Sequence, residues 1–168
     1  MPSDRVGLAT SRADTLIATL GLTPHPEGGY FGELYRSAAM VKPDDDRGRR
    51  PALTTIYFLL PSGSVSRWHR VSSDEVWHFY EGAPLDLWTA DPRARDVARH
   101  RLGPLDAGQQ PVHTVPAGWW QAARSIGAYT LVGCTVGPGF DFADFALAAD
   151  EPAAAAALRH NSSIADLL

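Results

Sequence analysis

From Ala52 to Val136 apolar and β-branched residues come in short alternating runs broken by turn residues, the period of strands with faces of different polarity. The runs cover 52–60, 64–71, 74–81, 84–90, 97–102, 110–115, 119–125 and 128–136, and Pro61-Ser62-Gly63, Asp91-Pro92 and Ser125-Ile126-Gly127 punctuate them. A further run, Tyr30 to Ser37, stands ahead of them behind the turn cluster His25-Pro26-Glu27-Gly28-Gly29. So many short strands at this spacing predict an all-β fold, a double-sheet jelly roll. Outside the strands the period changes. Ser11 can cap a short helix whose Leu16, Ile17 and Leu20 share one face, with Gly21 as its stop. Residues 41–50 form a charged, Pro-containing stretch, expected as a mobile loop. Ala153 to Leu158 predicts a short C-terminal helix, and Ile164, Leu167 and Leu168 are expected on a sheet edge, in a second short helix or beside the first. The polar residues 1–10 are expected to fray. One flexible N-terminus and a single domain over 11–168, with no internal repeat, is the organisation this implies.

A chain of 168 residues buries about two-thirds of the surface its unfolded form exposes, so no disulfide is needed. The net charge is −4, and Arg47, Arg49 and Arg50 share their loop with Asp44, Asp45 and Asp46. No basic groove for nucleic acid is therefore expected. The single cysteine, Cys134, lies in the apolar run TLVGCTV and reads as a buried core thiol, not a nucleophile. No apolar run approaches the ~18 residues of a membrane helix, and no signal-peptide core is seen. A cytoplasmic protein with no membrane partner is the expectation.

Two phrases carry the chemistry. Gly63 to Gly82 reads GSVSRWHRVSSDEVWHFYEG, with His69 six residues after Gly63 and Glu75 six after that. HTVPAGWWQAAR follows at 113–124. Together they resemble the two signature motifs of the cupin superfamily, whose barrel is a double-stranded β-helix. Gly63, His69, Glu75 and Gly82 match the first motif, and Pro116 and Gly118 the second. Val71 stands where the first motif has another histidine, and Gln121 where the second has one. Gln110 and Ser125 replace its opening glycine and closing asparagine.

Alternation places His69 with Arg67, Val65 and Val71, and Glu75 with Trp77 and Phe79, leaving Val76, His78 and Tyr80 on the other face. Gln121 and Ala123 share a face. On the strand from Ala52, Thr55 and Tyr57 share a face, taken as interior. A cup holding His69, Glu75, Gln121, Arg67, Tyr57 and Thr55 among aromatic walls has the composition of a small-molecule site. In metal-bearing cupins the ligands are three histidines and a glutamate. Only His69, Glu75 and the weak amide ligand Gln121 remain here, so a divalent transition metal at low occupancy is an alternative, with no cofactor as the primary expectation. Without metal, His69 paired with Glu75 would serve as general base and Tyr57 as acid. A non-catalytic buried His–Glu pair stays open. In the first strand Glu33 and Arg36 have opposite parity, so one of them is expected to face the cup beside Tyr30.

HPEGGYFGELYRS, DEVWHFYEG, VPAGWWQAAR and VGCTVGPGFDFADFALA, in that order, are similar to one single-domain cupin family, catalogued as domain of unknown function 985 and RmlC-like. The resemblance covers about 12–168. It implies a jelly-roll barrel with an N-terminal helix, an extended N-terminal strand and a homodimer, and assigns no reaction. The family more often has arginine where Gly32 stands. The related epimerases use a histidine base and a tyrosine acid without metal, and a strand that Tyr30, Phe31 and Glu33 match loosely. Three functions therefore remain: an isomerase- or epimerase-type enzyme on a polar, sugar-like metabolite, a metal-dependent dioxygenase-like cupin, or a non-catalytic binding or sensor module. The aromatic strand 30–37 offers a sheet edge, and a homodimer through it is expected.

Overall fold

Ser11 starts the first element. Its hydroxyl accepts the Asp14 N–H and the Asp14 carboxylate accepts the Ser11 N–H, each at 3.1 Å, a reciprocal cap for α1 (Arg12–Leu20). Gly21, left-handed at φ 62°, ends it. This computed structural model describes residues 10–168 except 107 and 162. The expected frayed segment, apart from Thr10, lies outside the described residues.

Thirteen strands follow among the described residues. Two short ones flank the first long strand: β1 (Thr23–Pro24), β2 (Tyr30–Arg36), β3 (Met40–Val41). Next come β4 (Arg50–Pro51), β5 (Thr54–Pro61), β6 (Val65–Val71), β7 (Asp74–Gly82) and β8 (Leu85–Ala90). The chain continues through β9 (Val97–Leu102), β10 (Val112–Val115), β11 (Trp120–Ser125), β12 (Tyr129–Gly137) and β13 (Phe145–Leu147). Two antiparallel sheets result, in the orders β1-β2-β5-β12-β7-β10 and β13-β6-β11-β8-β9, with β3 and β4 as a separate ribbon. They face each other as the jelly roll that the strand spacing predicts.

Three apolar layers hold this arrangement. Between the sheets lie Phe58, Leu60, Trp77, Leu87 and Val132. Outside the larger sheet, Ala13 and Leu16 of α1 pack on Leu59 and Leu131. Outside the smaller sheet, α2 (Pro152–Arg159) and the final turn bury Leu158, Ile164 and Leu167 on Trp68 and Trp120. Each such aliphatic side chain contributes about 2 kcal/mol. The C-terminal apolar residues thus cover a sheet face and not an edge. Residues 41–50 also depart from expectation: Arg47 and Arg50 both reach Asp144, at 3.2 and 2.8 Å, and pin the loop to the 3-10 turn at 142–144. No helix among the described residues is long and apolar enough to cross a membrane.

Three irregularities in register change which side chains point inward. In β2 the pairing with β5 slips between Glu33 and Tyr35. In β6, Gln121 faces His69 but Ala123 faces Ser66, so one extra β6 residue is accommodated. The β7–β12 pairing shifts between Leu131 and Val132. Each is a bulge that reverses side-chain parity beyond it.

Candidate functional site

A cavity of about 350 Å³ opens between the sheets, bounded by β2, β5, β12 and β7, by β6 across the barrel, and by residues 140–142. Its wall is built by an unusually close approach. Gly28 and Gly29 have φ 111° and 69°, and a Cβ on Gly28 would lie 2.1 Å from the Val65 carbonyl oxygen. Only glycine lets this turn press onto β6. The Arg67 N–H then donates to the Glu27 carbonyl at 2.8 Å, and the Glu27 side chain is carried inside.

Glu27 is 6% exposed. It accepts the Ser66 hydroxyl at 2.7 Å, and its other oxygen lies 3.2 Å from His69 Nε2 and 3.4 Å from His25 Nδ1. The partners assign the protons. His69 Nδ1 is 2.7 Å from the Arg67 carbonyl and must donate there, so Nε2 of the neutral ring is an acceptor. His25 Nδ1 accepts the Glu27 N–H at 3.2 Å, so its Nε2 carries the hydrogen. Burial lowers the pKa of His69 against the opposing pull of Glu75, lowers that of His25, and pushes Glu27 up to about 7. Near pH 7 Glu27 therefore gains or loses a proton, and its protonated form donates to the neutral imidazole of His69.

Glu75 lies on the same cavity. It accepts the Gln121 amide N–H at 2.5 Å, and Gln121 Oε1 in turn accepts the Trp77 indole N–H at 2.9 Å. The Cys134 thiol acts on Glu75 as well, favouring its charged form. Burial raises the Glu75 pKa and pushes the thiol well above its ordinary value. Cys134 is thus the buried, protonated thiol that its sequence context indicates, although it touches the cavity. At the mouth, Arg36 grips Glu33 with Nε and Nη2 at 3.0 and 2.6 Å and donates to the Phe140 carbonyl at 3.1 Å.

Several expected placements change. His69 and Glu75 do line the cavity, but His69 is bonded to Glu27. Thr55 and Tyr57 point away: Thr54, Ile56 and Phe58 are the cavity face of β5, Tyr57 packs beneath α1, and Thr55 bonds Thr135 at 3.0 Å. Tyr57 is therefore not positioned as an acid. Tyr30 joins the same outer layer. Arg67 is turned outward by the β6 bulge and donates to the Pro26 carbonyl at 2.6 Å, while Ser66 takes the inward place. Glu33 and Arg36 both line the mouth, because the β2 bulge cancels their opposite parity. Gln121 and Trp77 sit behind Glu75 as its support, and Phe79 packs on the core away from the cavity lining. His78 lies off the cavity, as its parity requires. Glu27 and His25 escape strand alternation because they belong to a turn. A titratable pair directly before two glycines was the available signal.

The donor set does not fit a transition metal. Val71 and Gln121 replace two histidine positions, His69 has both nitrogens engaged, and both ends of the Gln121 amide are taken. Among the described residues no group of three or more His, Cys, Asp or Glu side chains could hold a metal ion.

Two antiparallel sheets enclosing a small polar-floored cavity define a cupin barrel. The chain belongs to the cupin superfamily family of domain of unknown function 985, whose model matches residues 14–148. It is similar to a crystallised Shewanella oneidensis protein, at 36% identity and TM-score 0.82, over 94% of this chain and 97% of that one. A hypothetical protein from Leishmania major gives 34% identity and TM-score 0.79, over 94% and 98%. Oxalate decarboxylase from Bacillus subtilis shares the fold at 13% identity and TM-score 0.54, over 74% of this chain and 29% of that one. No curated protein matches the chain.

Proposed function

We propose that the barrel binds a small polar metabolite and carries out metal-free general acid–base chemistry on it, a proton transfer of the isomerase or epimerase type. The observation that carries this reading is the Glu27 carboxyl, buried on the cavity wall 3.2 Å from His69 Nε2. Ionised Glu27, held by the Ser66 hydroxyl, takes a proton from carbon next to a substrate carbonyl, and once protonated it donates to His69 Nε2. Glu75, the second carboxyl on the same cavity, with its pKa raised by burial, is the complementary proton donor, and the His25 Nε2–H is a donor for the developing oxyanion. Two carboxyls with different partners fill different roles. The base is thus Glu27 with His69, and the acid is a carboxyl in place of Tyr57.

Deuterium wash-in tests this. Aldoses, ketoses, amino sugars and hydroxy acids are incubated with the protein in D2O and followed by NMR. At least one should exchange a carbon-bound hydrogen, with the rate falling 10²-fold or more in Glu27→Gln and His69→Ala. Compounds that raise the melting midpoint without exchange would leave a binding or sensor module as the function. A metal-dependent reaction on His69, Glu75 and Gln121 is less favoured, because the side chains bond one another instead of converging on one point.

A further inference from the structure

The charges around the cavity point to a class of ligand. Glu27, Glu33, Glu75 and Asp141 line it, against a single arginine or lysine, Arg36. That arginine is already spent: two of its nitrogens hold the Glu33 carboxylate and the third meets the Phe140 carbonyl. Arg67, though close enough to Glu27 to act on it electrostatically, is turned outside onto the Pro26 carbonyl. Among the described residues a phosphate or carboxylate entering here would find no free arginine or lysine, and it would pass Asp141 on the way. Four of the remaining lining residues are phenylalanines, beside aliphatic ones such as Ile56, Val71 and Val136. Phe31, Phe58, Phe140 and Phe142 line the same space, and ring faces carry the negative end of a quadrupole that attracts ammonium groups. The volume, about 350 Å³, is near the lower end for small-molecule sites.

We propose that the ligand of this cavity is a small amine carried as its ammonium ion, and that phosphorylated and carboxylated metabolites are excluded. This rests on the cavity being the ligand site of the reading above. It narrows the substrate to an amine-bearing one and sets the chain apart from nucleotide-sugar or diacid chemistry on the same fold.

The test uses the full chain and matched probes in thermal shift and calorimetry. Choline is compared with its neutral isostere 3,3-dimethylbutan-1-ol, and glucosamine with glucose and glucose 6-phosphate. Choline or glucosamine should raise the melting midpoint by several degrees at millimolar concentration, with at least about tenfold tighter binding than the matched neutral compound. Glu33→Gln, which frees Arg36 and removes a carboxylate, should weaken the amine about tenfold and let glucose 6-phosphate bind. Equal binding of the neutral isostere, tighter binding of the phosphate to the unaltered protein, or no shift with either amine overturns the inference. Amine binding without deuterium exchange leaves it standing and overturns the acid–base reading. Exchange into an anionic compound that depends on Glu27 does the reverse.

Discussion

Replacing Glu27 by glutamine should make the protein more stable at alkaline pH while removing its activity. The folded carboxyl titrates at about 7 against an ordinary 4.5, chiefly because it is buried. An acid whose pKa rises on folding contributes most below its unfolded value, and that contribution is lost as pH climbs through the folded value. At about 1.4 kcal/mol per pH unit, the loss between pH 5 and pH 8 is roughly 2–3 kcal/mol. Glutamine imitates the protonated acid. Its oxygen can still accept from Ser66, and its amide can donate to His69 Nε2 as the carboxylic acid does. The groups that face Glu27 are His25, His69, Ser66, Arg67 and Glu75. The two histidines have lowered values and weaken the fold in the opposite sense, as pH falls, but they are present in both proteins and cancel to first order. Urea unfolding of both proteins at pH 5, 6, 7 and 8 measures the difference. The curves should nearly meet at pH 5, and the variant should be about 2–3 kcal/mol more stable at pH 8. A variant destabilised by the same amount at every pH would refute the assignment of a proton to Glu27.

Gly28→Ala should cost at least about 2 kcal/mol in urea unfolding, because φ 111° strains any side chain and the new Cβ would meet the Val65 carbonyl. Gln121→Leu leaves the Trp77 N–H without a partner and takes the amide donor from the Glu75 carboxyl, and calorimetry should show a loss of about 2–6 kcal/mol, since each buried group that loses its bond costs about 1–3. Elemental analysis of tag-free protein should find no stoichiometric Fe, Mn, Ni or Zn; a full equivalent that raises the melting midpoint would restore the metal reading. Light scattering should show a homodimer, twice the 18.1 kDa of the chain. Leu34, Tyr35, Tyr80 and Val112 are about half exposed, and β1 pairs only with Tyr30 and Phe31 of β2; a stable monomer, or a dimer leaving 30–37 free, would refute it.

The long strands were legible because β2, β5 to β9, β11 and β12 alternate over six to nine residues between recognisable turns, whereas the two- and three-residue β1, β3, β4 and β13 are too short to show a period. The α1 boundaries were legible because Ser11 and Gly21 are specific to helix ends. His69 and Glu75 were legible from spacing. Alternation states which residues share a face but not which face is inside. On β5 both faces are covered, one by the barrel and one by α1, so Thr55 and Tyr57 were assigned to the wrong one. Bulges are the second gap. One extra residue in β6 exchanged Arg67 for Ser66, and one in β2 brought Glu33 and Arg36 to the same mouth. Glu27 became central through tertiary contact alone, delivered by a turn whose glycines announced a close approach without naming its object.

The segment after β12 ties access to alignment. Phe140 and Phe142 stand over the cavity, and three residues later Phe145 stacks on His69, with ring centroids 5.5 Å apart. From there β13 pairs Phe145 with Val71 and Leu147 with His69. A short strand thus both anchors the segment that roofs the cavity and braces the imidazole. A bulky guest that displaces 140–142 would pull on the strand that braces His69. Amide hydrogen exchange at 145–147 would then keep time with the opening of the barrel, and a guest that shuts the roof would slow that clock and quiet the imidazole together.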